Sequence, residues 1–403
     1  MKILLKSIYP YAFSLLLLIV PFDDYVRALP NILLAILGLG FFFTVTKQDF
    51  KKLKTPSILL FFALIVFIAF GMLINGRMES DFFVLKKILI VVVLIILSLP
   101  IEDMKKVFRA IIFSSLLAIV FSLYNIVMLV AETGAFDFGN NTYANNTLLF
   151  DRLYLGLLST VSFIISYASI SSKYKAENRY HLANVILQIL FVLLVVSRFA
   201  IIAMAMVVFL HQFYLKMSKG RIAILIVFVA GVLVAAFAFN KNMSRRFLYA
   251  KEYNADKTLL HKVKTWEPRV FIWSCVQHIA DSSPIGFFGK GFEHTQSLLD
   301  ECYSETITNE SQREWYLKKG YNTHNQYLDF YLSAGLLAAV LFVLLLLVSL
   351  LRYRKSFFPT ALLLVLFLFC GIENIFHRQL GAYFFGIILI FSLFQNPIKP
   401  QTE

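Results

Sequence analysis

The chain has 403 residues, of which 59% are hydrophobic, 16% aromatic and only 15% charged. Soluble domains carry about 25% charged residues, so the composition excludes a soluble globular protein and predicts an all-α integral membrane protein. The formal net charge of +14 lies largely in short segments between apolar runs, where positive charge sets membrane orientation. It therefore does not predict nucleic-acid binding.

Twelve apolar runs are predicted to span the membrane, since a spanning helix needs about 20 mainly apolar residues. The first run follows Lys2 and Lys6 as in a signal peptide, but no small-residue cleavage site comes after it, so we expect an uncleaved span. The boundary at Ser197-Arg198 allows either two short spans or one bent element. The predicted spans are 7–22, 28–46, 56–74, 82–100, 107–130, 152–171, 181–197, 199–215, 221–239, 326–351, 357–373 and 379–395.

These spans divide the chain into three parts, with nine spans in 1–239, a polar loop over 240–325, and three spans and a short tail in 326–403. Lys and Arg of the short loops lie mainly on the side of the N-terminus, which places both termini in the cytoplasm and the long loop outside. Cys275 and Cys302 lie in this loop. They would form a disulfide if the loop faces an oxidising compartment, and the sequence leaves this open.

Arg198 interrupts an apolar run that extends from Val195 to Ile201. An arginine among apolar neighbours costs several kcal/mol unless it is paired or faces a wet cavity. One interpretation is a short outer turn whose guanidinium extends to the interface. The other is an anion-binding residue, because the planar guanidinium donates paired hydrogen bonds to phosphate.

The polar loop contains a helix predicted to begin at Pro268, a residue favoured at the first helical position. Arg269 and Trp273 fall on one face of this helix, and its apolar residues predict a helix lying against the membrane surface. Arg269 is either a solvated loop cation or a second anion ligand. The following connection lacks the Lys-Ser/Thr of a phosphate-binding glycine loop; its glycines are Gly286, Gly289 and Gly291.

His324 and Asn325 end the polar loop, directly before an apolar run. They are either a polar helix start, with Thr323 or Asn325 as the cap, or the position of a general base, since histidine exchanges protons near neutral pH. Glu373 and Arg378 lie on the same side of the membrane, and either pair to close a cavity or contact substrate. No histidine spacing indicates zinc, so no metal or cofactor is predicted.

The ordered combination of these motifs resembles the O-antigen ligase and polymerase family. It comprises an outer Ser-Arg at 197–198, Pro-Arg-x-x-x-Trp at 268–273, a glycine-rich stretch and a closing His-Asn at 324–325. The ligase pattern continues, after nine residues, with a glycine, which is Gly335 here. It then has Gly, Thr or Tyr three positions later, where this chain has Ala338.

The resemblance implies an enzyme of lipopolysaccharide biosynthesis in the bacterial inner membrane, which transfers a glycan on the periplasmic face. The donor would be linked to undecaprenyl diphosphate or a similar polyprenyl diphosphate, and the acceptor would be a sugar hydroxyl of lipid A-core or another glycan. By the same resemblance His324 would be the general base, and Arg198 and Arg269 would bind the donor diphosphate. The candidate supporting residues are Asn325, Trp273, Glu373 and Arg378.

Two arginines would stabilise the leaving diphosphate without a metal, and the chain has no Asp-x-Asp motif of metal-dependent glycosyltransferases. A single displacement would invert the anomeric carbon. The alternatives are a polymerase of the same family, a protein O-oligosaccharyltransferase and a polysaccharide transporter. Transporters usually contain related halves, which this sequence does not show.

Overall fold

The structure is a computed structural model that describes residues 2–23, 25–26, 28–134, 137–138, 147–171, 175–215, 219–247 and 267–393. Within these ranges every regular element is helical and no strand occurs, which confirms the predicted all-α class. The described residues include three short 3₁₀ helices, at Val20–Phe22, Asp49–Lys54 and Ile375–His377.

Ten of the described α-helices lie between residues 2 and 247. Predicted span 56–74 coincides with the third, and the predicted break at Ser197-Arg198 is present as the gap between the seventh and eighth. The ten are α1 (Lys2–Ile19), α2 (Leu29–Thr44), α3 (Pro56–Ile74), α4 (Met78–Ser98), α5 (Met104–Thr133), α6 (Arg152–Ser169), α7 (Glu177–Leu194), α8 (Arg198–Leu215), α9 (Lys219–Phe239) and α10 (Lys241–Phe247).

Seven of the described α-helices lie between residues 267 and 393, three in the polar loop and four in the C-terminal part. The loop helices are α11 (Pro268–Ser282), α12 (Phe292–Thr306) and α13 (Glu310–Lys319). The others are α14 (Gln326–Ala334), α15 (Leu336–Tyr353), α16 (Phe357–Cys370) and α17 (Gln379–Leu393).

Six of the described helices are long and apolar enough to cross a membrane. Shorter apolar helices coincide with further predicted spans, and α4 is long but carries Glu79, Asp81, Lys86 and Lys87. The predicted count of twelve therefore stays a prediction, while a multi-pass membrane protein is supported. The six are Leu4–Phe22, Pro56–Ile74, Met104–Thr133, Arg152–Ser169, Arg198–Leu215 and Leu336–Tyr353.

Helix α6 is the most enclosed of these six, because α5, α7, α8 and α16 pack around it. Its polar residues join a buried network with α7. The Asn184 amide donates to the hydroxyls of Ser162 (3.1 Å) and Ser166 (2.8 Å), and Gln188 donates to Asn184 (3.0 Å). Side chains of this kind hydrogen-bond across helices where lipid offers no partners. The network fixes α6, which contributes to the site described below.

The three loop helices form a unit with its own apolar core, and Cys275 and Cys302 are joined there by a disulfide. Ile272, Val276 and Ile279 of α11 are buried in this core. Val270 and Trp273 of the same helix stay exposed, so the prediction that α11 lies against the membrane surface stays a prediction.

The glycine-rich connection between α11 and α12 attaches this unit to the membrane helices. The backbone N–H groups of Lys290 and Gly291 donate to the carbonyls of Leu332 (2.8 Å) and Ser333 (2.9 Å), at the end of α14. Arg77, just before α4, donates to two carbonyls of the same connection, each at 3.1 Å. The connection thus docks the loop unit and does not form a phosphate cradle.

The predicted span 326–351 is not one helix, because Gly335 separates α14 from α15. Gly335 has φ of 93° and lies directly against the backbone of Phe287, where a Cβ would overlap the carbonyl oxygen. Glycine is required there both by the left-handed backbone and by the close approach. The result is a short helix, α14, that begins immediately after His324 and Asn325.

Candidate active site

Arg198 and Arg269 are brought together by one carboxylate. Glu267 Oε2 accepts from Arg198 Nη2 at 2.7 Å, and Glu267 Oε1 accepts from Arg269 Nη1 at 3.1 Å. The Glu267 side chain is 13% exposed, and those of the two arginines are 28% and 25% exposed. The two predicted phosphate ligands therefore share one partly buried anion site, although 71 positions separate them in the sequence.

Arg198 is the first residue of α8, and a tight turn after α7 places it there. Val196 in this turn has φ of 53°. That conformation is a genuine outlier for a β-branched residue, and strain of order 1–3 kcal/mol of this kind clusters at functional sites. Buried Arg152, at the N-terminus of α6, lies within electrostatic range of Arg198. Arg198 thus lies near a second, buried arginine, which the carboxylates of Asp151 and Asp137 also influence.

Arg269 is also held to the connection between α16 and α17. Its Nε and Nη2 both donate to the carbonyl oxygen of Ile372, at 3.2 and 3.0 Å. Glu373 is the next residue, and its carboxylate contacts the imidazole of His324. This single backbone segment therefore places the arginine cluster beside the histidine.

His324 and Glu373 form a partly buried pair, with His324 Nδ1 at 3.1 Å from Glu373 Oε2. The hydroxyl of Tyr154, on α6, donates to Glu373 Oε1 at 3.4 Å. Burial works to raise the pKa of the Glu373 carboxyl. The hydrogen bond and charge of His324, together with the charges of Arg378 and Arg269, outweigh burial and lower that pKa below its ordinary value of 4.5.

The backbone around His324 is fixed on both sides by Asn374. Asn374 Oδ1 accepts from the Thr323 hydroxyl at 2.9 Å and from the Asn325 backbone N–H at 2.6 Å. His324 itself has φ of 44°, in the left-handed region, and its N–H donates to Asn322 Oδ1 at 3.1 Å. Histidine is among the residues found in that region more often than most, and the surrounding contacts hold it there.

Asn325 and Trp273 support the same turn. The Asn325 side chain caps α14, accepting from the N–H groups of Tyr327 (3.0 Å) and Leu328 (3.2 Å). The capping interpretation of Asn325 is thus confirmed, and it coexists with the imidazole contact next to it. The Trp273 indole N–H donates to the Thr323 carbonyl at 3.0 Å, which links α11 to the turn.

In the structure, Arg378 forms an ion pair with Asp151 and not with Glu373. Its Nη1 lies 3.5 Å from Asp151 Oδ2, and its guanidinium lies over the Tyr154 ring at 5.6 Å. The pKa of Arg378 is raised: burial opposes this, but the charges of Asp151 and Glu373 outweigh it. Arg378 therefore closes the site from the α6 side, within electrostatic range of Glu373.

Glu267 and Asn374 are the residues that sequence reasoning missed. Glu267 is visible in the sequence only as the residue before a helix start, and Asn374 only as part of a polar pair between apolar runs. Glu267 contacts Arg198 across 69 positions and Asn374 contacts Thr323 across 51 positions, so no local pattern indicates either of these contacts. Within the described part of the chain, no group of three or more His, Cys, Asp and Glu residues is arranged as a metal site.

The fold and site together define a class, a multi-pass helical membrane protein with a histidine-carboxylate pair beside an arginine-bound anion site. Residues 183–343 match the family model described as O-antigen ligase. The resemblance to that family is therefore confirmed, and it implies a membrane enzyme of the ligase or polymerase type that acts on lipid-linked glycans. No protein of curated function matches the chain.

The matched region contains most of the site but not all of it. Both arginines, Glu267 and His324 lie inside 183–343. Their partners on α6 and between α16 and α17 lie outside it: Tyr154, Asp151, Ile372, Glu373, Asn374 and Arg378. The site is thus completed by parts of the chain beyond the matched domain.

Proposed function

We propose that the protein transfers a glycan from a polyprenyl-diphosphate carrier to an acceptor sugar hydroxyl, as an O-antigen ligase. The observation that carries the proposal is the junction at Ile372-Glu373. The carbonyl of Ile372 holds Arg269 of the anion site, and the carboxylate of Glu373 holds the imidazole of His324. A base and an anion site therefore lie side by side, as displacement of a diphosphate by a hydroxyl requires.

Arg198 and Arg269 bind the donor diphosphate in this proposal. Guanidinium groups donate paired hydrogen bonds to phosphate oxygens, and their charge opposes the charge that develops on the leaving group. Fixed cations in a partly buried site stabilise such charge far better than in water. Their positive charge suffices without a metal ion, because a diphosphate needs little protonation to depart.

His324 acts as the general base through Nε2. With Nδ1–H donating to Glu373, Nε2 carries the lone pair that accepts the proton of the acceptor hydroxyl. The hydroxyl oxygen then forms a bond to the anomeric carbon while the bond from that carbon to the diphosphate oxygen breaks. The low pKa of Glu373 keeps the carboxylate ionised, so it stabilises the imidazolium that forms. Attack opposite the leaving group inverts the anomeric carbon.

The proposed site faces the periplasm, with both termini in the cytoplasm of an inner-membrane protein. The distribution of Lys and Arg over the short loops supports this orientation. So does the disulfide between Cys275 and Cys302, because disulfides persist in oxidising compartments. The lipid-linked donor then lies in the membrane beside the helices, and a lipid A-core or other glycan acceptor approaches from the loop side.

A polymerase of the same family is the second candidate. Ala338 occupies the position where the ligase pattern has Gly, Thr or Tyr, and it is fully buried in α15. The same base and anion site would then extend a glycan on its carrier. Protein O-glycosylation and polysaccharide transport have no specific observation in their favour.

Glycan transfer by the purified protein tests the proposal. We expect wild-type protein to consume a diphosphate-linked donor and His324→Ala to lose at least about 100-fold in rate, as for removal of a general base. His294→Ala, at an exposed histidine on α12, is the matched control and should retain full activity. Transfer by His324→Ala at the wild-type rate would refute the assignment. Product on lipid A-core indicates a ligase, and a longer glycan still on its carrier indicates a polymerase.

A further inference from the structure

We propose that Glu267 is a placeholder for the donor diphosphate. In the free protein its carboxylate holds Arg198 and Arg269 in position, and the incoming diphosphate replaces it on both. This inference rests on the proposed function, because it takes a diphosphate to be the ligand of the two arginines.

The contacts of Glu267 are those expected of a bound bridging anion. Each carboxylate oxygen accepts from a different guanidinium group, Oε2 from Arg198 at 2.7 Å and Oε1 from Arg269 at 3.1 Å. All three side chains are largely buried, so the pairing is screened by solvent much less than a surface ion pair. Without an anion between them, the two guanidinium groups would repel each other. The carboxylate therefore preorganises the empty site.

The guanidinium of Arg269 keeps its position when the diphosphate replaces the Glu267 carboxylate. The Ile372 carbonyl accepts from Nε and Nη2, while Glu267 accepts from Nη1. The backbone contact thus orients the guanidinium independently of the carboxylate. Loss of Glu267 leaves Nη1 free for a phosphate oxygen and requires no movement of Arg269.

The local charge favours the exchange. The Glu267 carboxylate carries one negative charge and bridges two guanidinium groups. A diphosphate that links a lipid to a sugar carries two negative charges, one on each phosphate, and so balances the two arginines where a single carboxylate does not. Arginine also binds phosphate through paired donors. A lipid monophosphate carries a similar charge at pH 7, but it has a single phosphorus and so a shorter span.

Glu267 has a second position available. It is the N-cap residue of α11, yet its side chain makes no capping hydrogen bond, because the carboxylate is turned to the arginines. The N-terminal end of a helix attracts negative charge. Rotation of the side chain alone therefore moves the carboxylate from the arginines toward the end of α11.

Equilibrium binding of undecaprenyl diphosphate without a sugar tests the placeholder independently of activity. The full-length purified protein is titrated in detergent, with undecaprenyl monophosphate as the second ligand. We expect Glu267→Gln to bind the diphosphate about tenfold more tightly than wild type does, equivalent to about 1.4 kcal/mol. We also expect this variant to lose part of the preference for the diphosphate over the monophosphate. Glu314→Gln, at an exposed glutamate on α13, is the matched control and should bind as wild type.

Glu267→Asp provides a second variant if Glu267→Gln does not fold. It keeps the charge but is one methylene shorter and cannot span both arginines, so its affinity should lie between those of wild type and Glu267→Gln. Equal or weaker diphosphate binding by the folded variants would overturn the placeholder and leave the proposed function standing. A wild-type protein that binds no diphosphate would overturn the proposed function, and the placeholder with it.

Discussion

Glu373→Gln removes the negative charge beside His324 while keeping the size of the side chain. In the structure this carboxylate lies 3.1 Å from Nδ1 and also accepts from the Tyr154 hydroxyl. The amide can present either its oxygen or its NH₂ group to Nδ1. In the first case only the charge is lost, and in the second the imidazole takes the tautomer with its proton on Nε2, which cannot act as the base.

These two orientations of the amide set the lower and upper limits of the expected loss in rate. Hydrogen bonds to charged groups contribute about 1.5–3 kcal/mol, which corresponds to a loss of about 10- to 150-fold in rate. The wrong tautomer costs more, about 10⁴-fold for the equivalent change in a serine protease. We therefore expect kcat of Glu373→Gln to fall by about 10- to 10⁴-fold. The KM for the donor should stay nearly constant, since the arginine contacts do not use the Glu373 carboxylate.

The assay is steady-state transfer by purified protein with the donor varied at a saturating concentration of acceptor. Glu305→Gln, at an exposed glutamate on α12, controls for loss of one negative charge. Melting temperature and elution volume verify that the variant is folded. A folded Glu373→Gln protein whose kcat stays within about threefold of wild type would refute the role of this carboxylate in orienting and stabilising the imidazole.

Three further predictions concern other parts of the molecule. Arg198→Lys should lower kcat/KM by at least about tenfold, because an ammonium group cannot donate in a bidentate manner; unchanged kinetics would favour an arginine that only extends to the interface. Gly335→Ala should reduce the yield of folded protein and lower its Tm, because a Cβ would overlap the Phe287 carbonyl; a wild-type Tm would contradict this. Since the pKa of Glu373 is lowered in the folded protein, its stabilising effect is complete above its ordinary pKa of 4.5 and is lost as the pH falls below it. The Tm should therefore drop on acidification below about pH 5, and less so in Glu373→Gln; identical pH profiles would disprove this linkage.

The sequence predicts the helices well because each apolar run is long and bounded by charged or helix-breaking residues. Helix α3 begins at Pro56, the predicted residue, and α8 begins at Arg198, within the break predicted at Ser197-Arg198. The break at Gly335 was missed because both sides of it are apolar. The need for glycine there arises from the backbone of Phe287, which lies far away in the sequence.

Site residues can be predicted from the sequence where their polarity differs from that of their sequence neighbours. Arg198 in an apolar run and His324 at the end of a polar loop both stand out from their neighbours. Glu267 and Asn374 do not, because acidic residues before helices and asparagines between helices are common. Their importance depends on which guanidinium or backbone groups the fold places opposite them. That information lies in tertiary contacts and not in local spacing.

The most direct test is an experimental structure of the protein with a polyprenyl diphosphate bound. The account predicts a diphosphate in contact with the guanidinium groups of both Arg198 and Arg269, Glu267 withdrawn from them, and His324 Nε2 open to the space where an acceptor hydroxyl would lie. A diphosphate bound away from these arginines, or held beyond the reach of any acceptor placed at His324, would contradict it.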